Sequence, residues 1–518
     1  MKKRKKRNAI TMVSLLLTLV VLIGVYVWYG NKKTAADTSK DTKSISLATV
    51  DTSKVTSLHY IGEDVDITLL LEDGIWSSKD EPDRPINQEK VSSMLEAIKE
   101  IKATKKVVDT PDNLADFGLD KPSDTLEATL EDGSLVTLKL GSEVISGDGY
   151  YALVNDSKTV YTVATSYETS LGIRNVDFTA ITAAPSITAE NITYLNIDSR
   201  DGKDVELKYN AAPQLDISGS NMNNWQILKP YNGMFSAEGD KITALQPNYT
   251  TFDFGHCEDY KGDDLKKYGL DNPAYTIDIG YFETYTSKKP STTPQPTGTA
   301  PAEDAAKKED TVKVDKNYKI YIGNKDKDQD YYVRVDGSNA VYTLSTDTVD
   351  KMLQVDVFGL MSHYVAIPNI VSVDQINATI GTKQFAMKIV PIAKTNSDKT
   401  TTGKSESDKA DATYYFNDKA ASEDNFKKLY QKMISAQFDA PLDQKIDTGK
   451  LVPVMTLSYH LFGENEKTLT ASYLPYNDSF YVVDSGIGMY FLADKRVIDD
   501  IANSITSFKP DEAADNKK

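Results

Sequence analysis

Four histidines (His59, His256, His363 and His460) and the single Cys257 are the residues best able to bind a metal or move a proton near neutral pH. Their spacing argues against such a role. No H-x-x-H or H-E-x-x-H pattern occurs, and the histidines are scattered along the chain. His256 and Cys257 are adjacent, but zinc needs further protein ligands placed by the fold, so the pair reads as a partly buried His–Cys dipeptide. Asp326, Asp328 and Asp330 alternate as at the start of a calcium loop, where carboxylates converge on a hard cation. Position six of that loop is Tyr331 instead of glycine and position twelve is Gly337 instead of glutamate, so a solvated turn is the expectation. Asp120 and Asp271 recur in a Gly-Leu-Asp motif just before proline and read as turn or cap acceptors. Nucleophile-elbow and phosphate-loop patterns are missing. A glycosidase-like carboxylate pair stays open, because acidic residues are plentiful, but no pair stands out. No catalytic, cofactor-binding or metal residue is therefore assigned, and no cofactor is implied.

Tyrosine is the compositional excess, with 30 against 15 Phe and 3 Trp. Tyrosine rings on strand faces can stack on sugars or anchor a protein interface, and they also simply pack sheets. The recurring Tyr161, Tyr342 and Tyr490 read as sheet packing.

The elements that carry these residues repeat. Residues 149–165, 330–346 and 478–494 align without gaps, with Tyr151, Tyr332 and Phe480 in register. Each segment is two alternating runs around an Asn, Asp, Ser or Gly turn, which predicts a hairpin, followed by a short helix at 166–171, 347–353 or 495–501. Upstream, Trp76 corresponds to Trp225, and Asn87 to Ser236, both expected as helix N-caps, with Ser422 in the third copy. Val91, Met94, Leu95, Ile98 and Ile101 form one apolar stripe at helical spacing, and Phe426, Leu429, Tyr430, Met433 and Ile434 form another. The motif Leu114-Ala-Asp-Phe-Gly-Leu-Asp-Lys-Pro122 returns as Leu265-Lys-Lys-Tyr-Gly-Leu-Asp-Asn-Pro273, a helical turn stopped by glycine and then proline. The third copy lacks it. Low-complexity inserts at about 287–310 and 394–411 are rich in polar residues, cannot bury a core, and are expected as disordered hairpin tips.

Residues 2–7 are all basic, and the chain then runs without charge from Ile10 to Tyr29. A stretch of about 20 such residues matches a hydrocarbon core of roughly 30 Å. The expectation is a cytoplasmic segment 1–9, a signal-anchor transmembrane helix 10–30 and a linker 31–49, with the bulk outside the cytoplasm. A cleaved signal peptide is the competing reading. Formal net charge is −17 despite the basic cluster, which argues against nucleic acid as a partner. One cysteine excludes an intrachain disulfide framework.

The motifs 117–122 and 268–273, the hairpins at Tyr151 and Tyr332, and the Trp-containing strand before a helix resemble domain-of-unknown-function family 4340. The resemblance covers most of the chain, as two full units and a partial third. It carries no assigned activity or site residues. Members often accompany gliding-motility-type ABC export components, which implies an ABC-type export permease or another envelope protein as a possible partner.

The fold class expected is α+β: an N-terminal transmembrane helix followed by tandem, mostly antiparallel sheet-plus-helix repeats at 50–183, 184–366 and a degenerate 367–508, then a polar tail 509–518. The expected function is a single-pass cell-membrane protein, non-catalytic, acting as scaffold or accessory subunit of an envelope complex. The alternative is a cell-wall glycan-binding or glycan-hydrolysing ectodomain.

Overall fold

Alternation of apolar and polar side chains sets the architecture. In Met455–Leu461 every second residue is buried, as a strand with one covered face requires. The computed structural model describes residues 44–287, 310–392 and 412–510, apart from 443, 445 and 465. The chain divides into two units, one up to Ile181 and one from Thr182.

The first unit contains, in chain order, β1 (Ile45–Thr49), β2 (Val55–Ile61), β3 (Asp66–Glu72), β4 (Ile75–Ser78), α1 (Gln88–Lys99), β5 (Glu100–Ala103), β6 (Lys105–Val108), β7 (Asp124–Leu130), β8 (Leu135–Glu143), β9 (Tyr150–Val154), β10 (Val160–Val163) and α2 (Ser166–Leu171). Eight strands form one sheet in the order β4-β3-β2-β7-β8-β9-β10-β6, while β1 pairs with β5. Val91, Met94 and Ile98 of α1 cover one face, against Leu58, Leu69, Leu126 and Leu138. Tyr60 closes that core: its hydroxyl meets the Asp124 carboxylate at 2.6 Å and also reaches the Leu171 carbonyl. Burial first, then the Asp124 carboxylate, pushes the Tyr60 hydroxyl pKa well above its usual value.

The second unit continues with β11 (Ile192–Ser199), β12 (Val205–Tyr209), β13 (Trp225–Lys229), β14 (Phe235–Ala237), α3 (Gly239–Leu245), β15 (Phe254–Asp259), β16 (Tyr275–Ser287), β17 (Asp310–Lys325), β18 (Tyr331–Val335), β19 (Val341–Leu344) and α4 (Thr346–Leu353). It ends with α5 (Val357–Leu360), β20 (Val373–Ile380), β21 (Lys383–Pro391), β22 (Ala412–Phe416), β23 (Lys419–Ala421), α6 (Glu423–Met433), β24 (Ala440–Pro441), β25 (Met455–Leu461), β26 (Lys467–Pro475), β27 (Phe480–Asp484), β28 (Tyr490–Asp494) and α7 (Lys495–Ser507). Two nine-stranded sheets result, ordered β14-β13-β12-β11-β16-β17-β18-β19-β15 and β23-β22-β21-β20-β25-β26-β27-β28-β24.

One path draws all three large sheets. The chain lays a central strand (β2, β11 or β20) and adds hairpin strands outward on one side. It passes through a helix (α1, α3 or α6) and deposits a short strand at the opposite edge (β6, β15 or β24). It then returns to the centre and adds hairpins until it reaches that edge strand. The third sheet follows this path in full although its sequence lacks the Gly-Leu-Asp motif. The second and third sheets share one continuous core, joined by Phe235 of β14, Phe438, Phe491 of β28 and Tyr231, with ring centroids 4.5–6.1 Å apart.

The Gly-Leu-Asp motif packs on the other sheet face. Gly118 and Gly269 take φ of +67° and +69°, which a glycine adopts without strain. Leu119 and Leu270 are buried, and Phe117 and Tyr268 meet Tyr151 and Tyr332 edge-on at 5.1 and 4.9 Å. Each pair of rings nucleates a small satellite core.

Several expectations are corrected. The class is mainly β, not α+β: among the described residues strand accounts for 42% and helix for 20%, in four antiparallel sheets. The apolar stripes at helical spacing form α1 and α6, except that Ile101 lies in β5 and Ile434 just past α6, but the helices are short and hairpin strands such as β16 and β17 dominate. The transmembrane helix expected at 10–30 lies outside the described residues, and among the described residues no helix is long and apolar enough to cross a membrane. Asn87 caps α1, accepting from the N–H groups of Glu89 and Lys90. Ser236 does not cap. It lies in β14 and donates to Asp216 at 2.6 Å, while Glu238 holds the N-cap of α3. Ser422 stands at the N-cap of α6 without a side-chain cap bond. The two expected disordered inserts fall almost wholly outside the described residues. The strands flanking them close in register, Ser287 opposite Asp310 and Pro391 opposite Ala412.

Candidate functional site

A groove of about 730 Å³ opens where the second and third sheets of the second unit meet. Its first wall is the loop 210–224, which stands where the first sheet has only the Asp73-Gly74 turn. Asp216 organises this loop. One carboxylate oxygen accepts from the Ser218 and Ser220 N–H groups at 2.9 and 3.2 Å, and the other from the Ser236 hydroxyl. The Ser218 carbonyl accepts from the Ile367 N–H at 2.7 Å, and the Asp216 carbonyl accepts from the Lys467 ammonium at 3.0 Å. Burial at this junction pulls the Lys467 ammonium pKa below its usual value, since desolvation disfavours the charge. Gly219, at φ +79°, lies where any Cβ would collide with Leu469 of β26.

The second wall is the connection between the sheets, Ile367, Pro368, Asn369 and Ile370, and the third is α6 with the end of β25. Tyr430 spans the floor and donates from its hydroxyl to the Pro368 carbonyl at 2.7 Å. Ile434, Leu461 and Phe462 add apolar surface, while Asn369 and Gln431 bring amides. Lys427 and Glu464 are the charged lining residues, and Lys427 pairs with Glu423. An apolar floor with a few polar groups is a binding geometry. Lys427 and Glu464 are opposite in sign and set no carboxylate pair or activated nucleophile into the groove.

The residues singled out from sequence do not converge here. His256 and Cys257 are consecutive on β15, at a register shift in its pairing with β19. Cys257 enters the core, whereas His256 lies 3.2 Å from the Thr343 hydroxyl and 3.4 Å from Glu258. The Asp326 carboxylate accepts from the N–H groups of Asp328 and Asp330, and Asp330 accepts from the Thr346 N–H, which makes an Asx turn between β17 and β18. Asp120 and Asp271 are exposed, and Asn113, not Asp120, caps the first motif through the Ala115 N–H. Among the described residues no cluster of His, Cys, Asp or Glu has metal-holding geometry. Tyr342 is buried and stacks on Phe254 at 5.0 Å, whereas Tyr161 and Tyr490 are half-buried. Of the groove residues, Tyr430 and Ile434 were read only as part of an apolar stripe, and the others escaped sequence reading. Their one signal was the long polar loop 210–224, which interrupts the repeat.

His460 and His59 hold surface positions against carboxylates. His460 Nδ1 is 2.6 Å from Asp374, and His59 Nε2 is 2.9 Å from Asp66. The hydrogen bond to Asp374 raises the His460 pKa. A raised folded-state value stabilises the fold fully below the unfolded value of about 6.5, and the effect is lost as pH rises through the folded value. NMR titration should place the His460 midpoint above the usual range, and Asp374→Asn should bring it down. An unchanged midpoint in that variant would rule out the assigned partner.

No curated protein and no solved structure matches the chain. The family model described as "Domain of unknown function (DUF4340)" matches twice, at residues 76–273 and 225–429. The matches begin at Trp76 of β4 and Trp225 of β13, so each takes part of one sheet and the opening of the next. Residues 225–273 close the first match and open the second, as expected of tandem copies. With these matches spanning most of its length, and with the motif at Gly118 and Gly269 folded alike in two sheets, the chain belongs to the DUF4340 family.

Proposed function

We propose that this chain is a non-catalytic scaffold or accessory subunit of an envelope complex, such as an ABC-type export system, located at the cell membrane with its bulk extracytoplasmic. The observation that supports the reading is the groove between the second and third sheets. It lies at the junction of two sheets with one core, and it combines exposed apolar groups with amides and two opposite charges. Met222 is 83% exposed and Phe462 is 38% exposed, and apolar side chains at a groove rim favour a protein partner. The basic cluster at 2–7 and the uncharged residues after it support the location.

Crosslinking in intact cells, detergent solubilisation and pull-down on a C-terminal tag, read by mass spectrometry, tests the role. Stoichiometric recovery of a permease or another envelope protein is expected. Met222→Asp with Phe462→Asp should lower that recovery by about tenfold, the cost of losing one strong interface contact. Recovery of the chain alone would sink the role. A second reading, wall-glycan binding, draws on the exposed Phe462 ring beside the Asn369 and Gln431 amides. It requires retention on purified peptidoglycan that the same double variant abolishes.

A further inference from the structure

The hairpin β16–β17 outgrows its sheet. β11 accompanies β16 only as far as Tyr281, and β18 accompanies β17 only from Ile320 onward, with one more bond from the Asp336 N–H to the Lys319 carbonyl. Beyond those points Phe282 to Ser287 and Asp310 to Asp315 continue as a two-stranded ribbon, paired only to each other among the described residues. Such a ribbon is marginal by itself, and its outer edges are templates for another strand. One ribbon face carries Tyr285, Val312 and Val314 together with Glu283. Tyr285 lies opposite Val312, and Glu283 opposite Val314. Tyr285, Val312 and Val314 are 48%, 47% and 37% exposed. On the other face Lys313 stands over the Phe282 ring at 4.1 Å, and Asp315 lies opposite Phe282.

We infer that two copies of this chain associate by antiparallel pairing of the outer edge of β17 about a two-fold axis at Val314. The charge pattern of this edge is self-complementary in that register alone. With the axis at Val314, Lys313 faces Asp315 of the second copy, and Asp315 faces its Lys313. Moving the axis one residue sets Lys313 against Lys313 or Asp315 against Asp315, where like charges directly opposite repel. The edge of β16 has no such pattern, because Glu283 is the one charge between Phe282 and Ser287. Pairing converts two marginal ribbons into one four-stranded sheet, with Tyr285, Val312 and Val314 of both copies on a shared face.

Sedimentation velocity on the full chain should give a mass of two chains that falls to one on dilution. Lys313→Glu places glutamate opposite aspartate at both contacts and should leave a single-chain mass. The swap Lys313→Asp with Asp315→Lys should restore the two-chain mass. The second test is oxidation. Opposed Cα atoms lie about 4.5–5.5 Å apart, within disulfide reach. Val314→Cys should crosslink to itself. Thr311→Cys should not, because six residues of strand separate its copies by about 20 Å. A single-chain mass up to the solubility limit overturns the inference. So does equal crosslinking of the Val314→Cys and Thr311→Cys variants, or failure of the swap with unchanged circular dichroism.

Discussion

Phe491→Ala is expected to destabilise the second unit by about 3–5 kcal/mol, the usual cost of removing a fully buried phenylalanine. Phe491 is 2% exposed, and its ring centroid lies 4.5 Å from that of Phe438, 5.4 Å from Phe235 and 6.1 Å from both Tyr231 and Phe358. Phe491 belongs to β28 of the third sheet, whereas Phe235 and Tyr231 come from the second. The cavity left by alanine would therefore strip contacts from both sheets at once, and rigid strands on either side prevent its collapse. The loss should appear in both. Hydrogen exchange followed by mass spectrometry should show faster global opening in peptides from β11 to β13 as well as from β25 to β28. Unchanged protection of β11 to β13 would mean that the two sheets open independently.

The second large effect is expected at two glycines outside any turn. Gly141 in β8 and Gly323 in β17 have ordinary φ, but a Cβ on either would run into a backbone carbonyl, that of Phe117 or Tyr268. Those carbonyls belong to the residues just before Gly118 and Gly269, so the strand glycine and the motif glycine form a close backbone approach in each sheet. Gly141→Ala and Gly323→Ala should each cost about 1–3 kcal/mol, the range for overpacking a filled site. The Phe117–Tyr151 or Tyr268–Tyr332 ring contact should loosen in the matching sheet alone. Gly239→Ala is the comparison, because nothing lies within 4 Å of a Cβ there. Denaturant midpoints check the ranking, and a Gly239→Ala loss equal to the others would remove the steric argument.

What was legible in the sequence was local. Alternation around the turns at 149–165, 330–346 and 478–494 gave β9–β10, β18–β19 and β27–β28, because period two and turn residues act over a few positions. Asn87 was readable as a cap for the same reason. Ser236 was not: the counterpart of Asn87 is Glu238, so the offset of 149 put the cap two residues early, inside β14, where Asp216 of the long loop 210–224 takes the Ser236 hydroxyl. The helical stripes were visible, yet the balance of strand over helix was not, because the full extent of β16 and β17 depends on pairing across an insert. The groove was out of reach. It exists because Asp216 and Lys467, which are far apart in sequence, meet where two sheets share a core.

The path of the chain makes each sheet a clasp. In the first sheet β6 precedes in sequence the β10 it pairs with at the far edge, and β24 precedes β28 in the same way. Until the last hairpin docks, every sheet has two exposed inner edges where it later has none. A chain cut between the helix and the final hairpin of any repeat would leave both edges open to foreign strands. The first family match, which ends at residue 273 between β15 and β16, is such a cut, out of phase with the sheets. The smallest piece of this protein able to close on itself is accordingly a whole sheet, begun at β2, β11 or β20 and finished only by its last hairpin.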